Sequence, residues 1–301
     1  MSEHKSGFVN IIGQPNVGKS TLLNALIGER MSIITNKPQT TRHRIIGILN
    51  EVDYQIVFSD TPGMIKDPSY KMQSAMNSFA YSTFEDADIM LYVVDVQEEY
   101  KENTALLERL NNLEIPLFLV LNKTDTITPE QLQQLESDWR KRLLKAHVFP
   151  ISALLKTNTT SLLESIIEQL SEGPAYYPKD QFTDRSERFF MSEIIREKIL
   201  LNYHQEIPYS VEVIVDSFKE TKTNAGEDLV RIHATIFVER PTQKSIMIGK
   251  NGKAIKQLGT DARKAMETFL ERKVFLELHI KVKDNWRNDD RLLKQFGYKN
   301  Q

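Results

Sequence analysis

Eight residues near the start, Gly13-Gln14-Pro15-Asn16-Val17-Gly18-Lys19-Ser20, constrain this chain more than any other feature. A Gly-X-X-X-X-Gly-Lys-Ser string cradles phosphate only when a strand runs into it and a helix leaves it. Both flanks comply: Phe8-Val9-Asn10-Ile11-Ile12 reads as a strand and Lys19 to Ile27 as a helix. In that setting backbone N–H groups and the helix dipole meet the phosphates, Lys19 reaches the terminal ones, and Ser20 Oγ, with Thr21 beside it, ligates Mg2+.

The rest of the first half continues in the same way. Ile45 to Asn50 and Tyr54 to Ser59 read as an adjacent strand pair, and Ile89 to Asp95, Leu117 to Asn122 and Phe149 to Ser152 as further buried strands. Helical stretches fall between them over Tyr70–Phe84, Glu102–Asn112, Pro129–Leu144 and Thr160–Leu170. Strands alternating with helices predict an α/β fold, a mostly parallel sheet with helices on both faces.

Four later motifs complete a nucleotide site. Asp60-Thr61-Pro62-Gly63 follows an apolar strand, where Asp60 would hold Mg2+ through its water shell and the Gly63 N–H would meet the γ-phosphate. Thr40 and Thr41 lie between the phosphate loop and Asp60, where a switch segment lends a hydroxyl to Mg2+; Thr41, directly before Arg42, is preferred of the two. Asn122-Lys123-Thr124-Asp125 chooses the base, because a carboxylate accepts two parallel hydrogen bonds from guanine whereas adenine offers no such donor pair. Lys123 can pack its stem along the base, and Ser152-Ala153 would turn a backbone N–H toward the guanine carbonyl. Directly after Gly63, where many GTPases carry a glutamine that orients the attacking water, stands Met64. Methionine cannot orient water by hydrogen bonding, so slow hydrolysis is expected.

At 301 residues the chain has room for a second domain. Glu172-Gly173-Pro174 ends the last helix of the first half, and a linker-like stretch follows. Phe189 to Tyr203 reads as a helix, Val211 to Phe218 and Val230 to Val238 as strands, Thr242 to Ile248 and Lys253 to Phe269 as helices, and Val274 to Val282 as a last strand. Between the last two helices sits Ile248-Gly249-Lys250-Asn251-Gly252-Lys253, the Gly-X-X-Gly pattern of a KH domain, which clamps about four nucleotides of single strand. Lys250, Lys253 and Lys256 would neutralise phosphates, with Ile246, Ile248, Ile255 and Leu258 as an apolar floor beside the bases. Charge agrees with this division. Residues 1–180 carry 17 Lys/Arg against 23 Asp/Glu, and residues from Arg240 onward carry 15 against 7, the distribution of a polyanion-binding second half.

Cysteine is absent, which excludes disulfides, thiolate zinc sites and cysteine nucleophiles. No apolar run approaches the ~20 residues of a membrane span, and the polar start lacks the apolar stretch of a secretory signal. A cytoplasmic protein is the expectation.

Together these strings resemble the Era family of bacterial GTPases from Gly7 to about Tyr298. The carriers are residues 13–24, Pro38-Gln39-Thr40-Thr41-Arg42-His43-Arg44, Asp60 to Gly63, Asn122 to Asp125, residues 248–256 and Val282-Lys283-Asp284-Asn285-Trp286-Arg287. The resemblance implies a GTPase domain over 6–173, a linker over 174–187, a type II KH domain over 188–284 and a C-terminal tail or helix over 285–301. It further implies a GTP/GDP switch that binds the 3′ end of small-subunit (16S) ribosomal RNA and assists maturation of the 30S subunit. The protein would act as a monomer, with peripheral contact with the inner membrane at its cytoplasmic face left open. Asn16 matches an asparagine that in relatives can ligate K+ near the phosphates. A hydrophobic residue at Met64 is expected of the family. Gln14 stands where arginine is common, Met64-Ile65-Lys66-Asp67-Pro68 departs from the usual wording, and Leu154-Leu155-Lys156-Thr157 is also loose. Two competing readings are a signalling GTPase whose basic second domain binds membrane or protein, and a phosphate-loop ATPase.

Overall fold

The computed structural model describes residues 4–98 and 103–298. The expected start of a helix at Glu102 and the last residues of the expected tail lie outside the described residues. The chain divides into two compact units, the first formed by residues up to Pro68 and Gln73–Asp184, the second by Ser69–Met72 and the residues from Arg185 onward.

The first unit is a sheet with helices on both faces. Its strands are β1 (Lys5–Gly13), β2 (Ile45–Asn50), β3 (Tyr54–Asp60), β4 (Ile89–Asp95), β5 (Leu117–Asn122), β6 (His147–Pro150) and the two-residue β7 (Ser171–Glu172). Its helices are α1 (Lys19–Ile27), α2 (Lys71–Ser82), α3 (Thr104–Asn111), α4 (Pro129–Arg142) and α5 (Thr159–Gln169). The strand order is β2-β3-β1-β4-β5-β6, with β7 paired to the start of β1. Neighbours run parallel except β2 with β3 and β7 with β1.

Alternation along the central strands explains the two-sided core. Val9 and Ile11 of β1, Ile89, Leu91 and Val93 of β4, and Phe118 and Val120 of β5 join Leu22, Leu23 and Leu26 of α1 and Leu162 and Ile166 of α5. The residues between them, Ile12, Met90, Tyr92, Leu119 and Leu121, join Leu106 and Leu110 of α3 and Trp139 of α4. Every residue of β4 is buried, which is why its sequence reads as an unbroken apolar run rather than an alternating one. Local signals set the helix starts: Asn103 caps α3 through Leu106 N–H, and Thr128 and Gln131 form a capping box on α4 with Pro129 at its first position.

Two local expectations shift. The strand expected at Phe149–Ser152 is His147–Pro150; Ile151 N–H still donates to Leu121 O at 2.8 Å, but Ser152 turns away to pair with Thr157. The stretch read as a linker is hydrogen-bonded along the first unit through Thr183. Buried Gln55 accepts from the N–H groups of Tyr176 and Tyr177 at 2.7 and 2.9 Å, and its Nε2 donates to Tyr177 O at 2.8 Å. Further on, Ile48 N–H donates to Phe182 O at 2.8 Å and Gly47 pairs with Thr183, so this stretch covers the exposed edge of β2.

The second unit packs α6 (Glu187–Asn202), α7 (Pro241–Ile248) and α8 (Lys253–Leu270) with a three-stranded sheet of β8 (Glu212–Lys222), β9 (Asp228–Val238) and β10 (Lys273–Val282), in the order β10-β9-β8. β8 and β9 are antiparallel with an irregularity between Val215 and Ser217, while β9 and β10 are parallel. α8 buries Leu258, Ala262, Met266 and Leu270, every fourth residue, against Met191, Ile195 and Ile199 of α6 and the inward residues of the sheet. A final helix, α9 (Asp290–Gln295), is capped by Asp289. This C-terminal segment is part of the unit: Trp286 is fully buried with its indole N–H on Ser210 O at 3.0 Å, and Tyr298 OH donates to Glu212 Oε2 at 2.6 Å. Among the described residues no helix is long and apolar enough to cross a membrane.

Candidate functional site

The C-terminal ends of four neighbouring strands deliver the motif residues of the first unit. β1 ends at Gly13, β3 at Asp60, β4 at Asp95 and β5 at Asn122, with Ile11 in register with Asp60, Gly13 with Val93 and Asp95 with Asn122. Ligand clefts of open α/β sheets lie at this end of the strands. A cavity of 230 Å3 sits there, bounded by Asn16, Lys19, Ser20 and Thr41 and reached by Lys123.

The phosphate loop is closed from within. Gly18 has φ of +96°, and a Cβ placed on it would lie 2.2 Å from Asn122 Nδ2, so only glycine fits where the loop passes the Asn122–Asp125 loop. Lys19 is buried and donates to Gly13 O at 3.1 Å and Gln14 O at 2.7 Å. Burial lowers its pKa to about 8, against the opposing pull of Asp60 and Glu98.

Next to it, four oxygens converge. Asp60 Oδ2 accepts from Ser20 Oγ at 2.6 Å, Ser32 Oγ at 3.0 Å and Thr41 Oγ1 at 3.3 Å, and Ser20 and Thr41 lie 2.8 Å apart. Asp60 is fully buried, and its Oδ1 has no hydrogen-bond partner. Burial raises its pKa, opposed by the three hydroxyls and Lys19. A buried carboxylate oxygen without a partner, beside hydroxyls on separate loops, fits a hard divalent cation and its water shell. Thr40 is directed elsewhere, with its Oγ1 on Lys37 O and Thr35 Oγ1, both at 2.6 Å. Met64 keeps its N–H toward Gly13 O at 3.3 Å while its side chain packs against the apolar cluster of Tyr92, Leu106 and Trp139. Thr61 Oγ1 donates to Ile11 O at 2.8 Å, fixing the Asp60–Gly63 turn, which includes Pro62, to β1.

Asn122 joins three loops: its Nδ2 donates to Val17 O at 2.8 Å and its Oδ1 accepts Ala153 N–H at 2.9 Å. Of the Ser152–Ala153 pair expected to turn a backbone N–H toward a guanine carbonyl, Ala153 gives its N–H to Asn122. Thr124 N–H donates to Ile151 O at 3.1 Å, and a short 3₁₀ turn over Thr124–Thr126 presents the exposed Asp125 carboxylate. Lys123, in the left-handed region with φ of +70°, sends its ammonium to Asp95 Oδ2 at 2.5 Å.

Two contributors, Ser32 and Asp95, lie outside the motifs. Asn24 accepts from Met31 and Ser32 N–H at 2.9 and 3.0 Å and donates to Ser32 O at 2.8 Å, and this brace brings Ser32 to Asp60. Asp95 is the other. A polar residue ending a buried strand is the signal that could have found it.

In the second unit α7 ends at Gly249, with φ of +72°, where a Cβ would lie 2.6 Å from Ala254 Cβ. Asn251 and Gly252 are also left-handed, which throws the loop clear before α8 starts at Lys253. Lys250, Lys253 and Lys256 are exposed, and among the described residues none has an ion-pair partner; Arg263, Arg272 and Lys273 of the same unit all have one. Ile248 and Ile255 are half-buried and Ile246 exposed, but Leu258 lies in the core, so the expected apolar floor loses that residue.

Residues 8–123 match the family model described as 50S ribosome-binding GTPase, and residues 206–287 the model described as KH domain. The chain is 49% identical to GTPase Era of Syntrophus aciditrophicus (strain SB), over 98% of this chain and 95% of that one. It is 45% identical to the chloroplastic GTPase ERA-like protein of Oryza sativa subsp. japonica, over 99% of this chain and 70% of the relative. Among solved structures it superposes on a point variant of Aquifex aeolicus Era bound to GDP.AlF4- with a TM-score of 0.91 and 35% identity, covering 98% of this chain and all of that one. A structure of Era with MgGDPNP and nucleotides 1506–1542 of 16S ribosomal RNA matches with a TM-score of 0.92 and 35% identity, over 99% and 100% of the two chains.

Proposed function

The chain belongs to the Era family of GTPases, and from that premise we propose that it is a slow GTP-driven switch that grips 16S ribosomal RNA and assists assembly of the small subunit. One observation carries the reading: a single chain holds an Asn122–Asp125 loop braced by Asn122 and a Gly-X-X-Gly loop at which Lys250, Lys253 and Lys256 are exposed and have no ion pair among the described residues.

In this reading Gly13 to Thr21 wraps the phosphates and Lys19 exchanges its two carbonyl partners for phosphate oxygens. Ser20 and Thr41 supply hydroxyls to Mg2+, and Asp60 holds its water shell. Bound there, Mg2+ neutralises charge on the phosphate oxygens. Gly63 N–H meets the γ-phosphate, and Asp125 accepts from the two guanine donors. Asn16 Nδ2 donates to Asn36 O at 3.2 Å, which leaves its Oδ1 for K+ beside the phosphates. Met64, packed inward, leaves the attacking water without a side-chain acceptor, so hydrolysis is slow until a partner assists. In the second unit the backbone of Gly249 to Gly252 approaches the RNA backbone while Lys250, Lys253 and Lys256 meet phosphates.

Filter binding of a 3′-terminal fragment of 16S ribosomal RNA, with the protein loaded with GDP or a non-hydrolysable GTP analogue, tests the reading. Tighter binding in the GTP-analogue state is expected; absence of RNA binding in both states overturns it.

A further inference from the structure

We propose that Asp95 is a positioning residue for base selection: it holds the Lys123 ammonium so that Asp125 stays free to accept from guanine. The inference rests on the reading of Asn122–Asp125 as the base clamp and adds a residue to it from outside the motif.

Asp95 is the last residue of β4, in register with Asn122, and only 4% exposed. Both its oxygens are engaged. Oδ1 accepts Gln97 N–H at 2.9 Å and Oδ2 accepts Lys123 Nζ at 2.5 Å, so the carboxylate has one orientation. The backbone of the clamp is fixed independently, by Thr124 N–H on Ile151 O and Thr126 N–H on Lys123 O. What remains free is the four-carbon lysine stem, which carries a compact charge and many rotamers.

Lys123 and Asp125 stand two residues apart across a tight turn, and Asp125 has no side-chain partner among the described residues. An ammonium released beside that carboxylate would pair with it and occupy the acceptor oxygens that guanine's two N–H groups need. Asp95, buried on the strand side, is the better partner because its own orientation costs no further side-chain entropy. Asp95, with both oxygens engaged by Gln97 N–H and Lys123 Nζ, thus acts through Lys123.

Calorimetric titration of GDP and ADP separates this role from a merely structural one. Asp95→Asn, nearly isosteric, is expected to lower GDP affinity and narrow the preference for GDP over ADP by about tenfold, the scale of a half-buried charge pair. Lys123→Met keeps the stem and removes the ammonium, so adding it to Asp95→Asn restores the preference. A defect in β4 packing would persist without the lysine. An unchanged preference in Asp95→Asn, or a loss that Lys123→Met does not relieve, overturns the proposal. Asp95→Ser repeats the test with a smaller side chain, and the unfolding midpoint without nucleotide identifies a folding defect in either. Asp125→Asn is run alongside. If that variant keeps its guanine preference, the clamp reading itself fails; if it loses the preference while Asp95→Asn does not, only the role of Asp95 fails.

Discussion

The two candidate sites hold their charges in opposite ways. In the first unit Lys19 and Asp60 are buried and tied, the lysine to two loop carbonyls and the carboxylate to three hydroxyls. At the Gly-X-X-Gly loop Lys250, Lys253 and Lys256 are exposed and carry no ion pair among the described residues. A buried charge must be matched by partners or ligand, so each group in such a site acts as part of a unit. Solvated charges act nearly independently and are screened by salt. The first arrangement suits recognition of one small ligand, the second a grip on a long polyanion.

The largest effect that would break this contrast is at Lys19. Lys19→Ala is expected to lower GDP and GTP affinity by roughly a thousandfold, because phosphate loses its buried counter-charge. RNA binding by the nucleotide-free variant should match that of nucleotide-free wild type, and calorimetry with GDP and filter binding with RNA measure the two. Gly249→Asp comes next. It places a carboxylate where φ is +72° and Ala254 is 2.6 Å from the new Cβ, so RNA affinity should fall by about a hundredfold with GDP binding unchanged. A parallel loss of both activities would mean the sites are not separable.

Smaller changes sharpen the contrast. Single alanine substitutions at Lys250, Lys253 and Lys256 should each weaken RNA binding by about fivefold, add nearly independently, and each reduce the salt slope by about 0.7. Binding isotherms across a salt series give both quantities; strong non-additivity would place these lysines in a coupled cluster like the first site. The smallest effect concerns pH. With its pKa lowered to about 8, Lys19 is charged below that value and GDP affinity is flat. Above it the free protein must take up a proton to bind phosphate, so affinity falls, by about fourfold half a unit higher. Calorimetry in two buffers of different ionisation enthalpy should show proton uptake on binding at pH 9 and little at pH 7.

Legibility differed between the regions for the same reason. The phosphate loop, the Asp60 turn and the Asn122–Asp125 loop are contiguous strings whose chemistry depends on local spacing, and they could be read without knowing the sheet order. The choice between Thr40 and Thr41 could not, because it depends on which hydroxyl meets Asp60 across a non-local loop. Ser32 was invisible: a serine gains its place only through the Asn24 brace. The linker-like stretch looked featureless in composition, yet Gln55, more than a hundred residues earlier, pins it to the sheet. In the second unit the helix–loop–helix order and the lysines were legible, whereas the assignment of Leu258 to the core needed α8 seated on α6 and the sheet.

By itself the sequence determined the class of ligand and the class of fold. Glycines at set spacings, a carboxylate two residues after a lysine, and strands alternating with helices have these meanings wherever the chain goes, because they act through backbone conformation and local donor–acceptor patterns. Tertiary structure alone decided which oxygens converge on Asp60, that Lys123 is held by Asp95, and that the segment after Gly173 lies along β2. Those contacts join residues tens of positions apart, and burial and register, which no local pattern encodes, determine whether they meet.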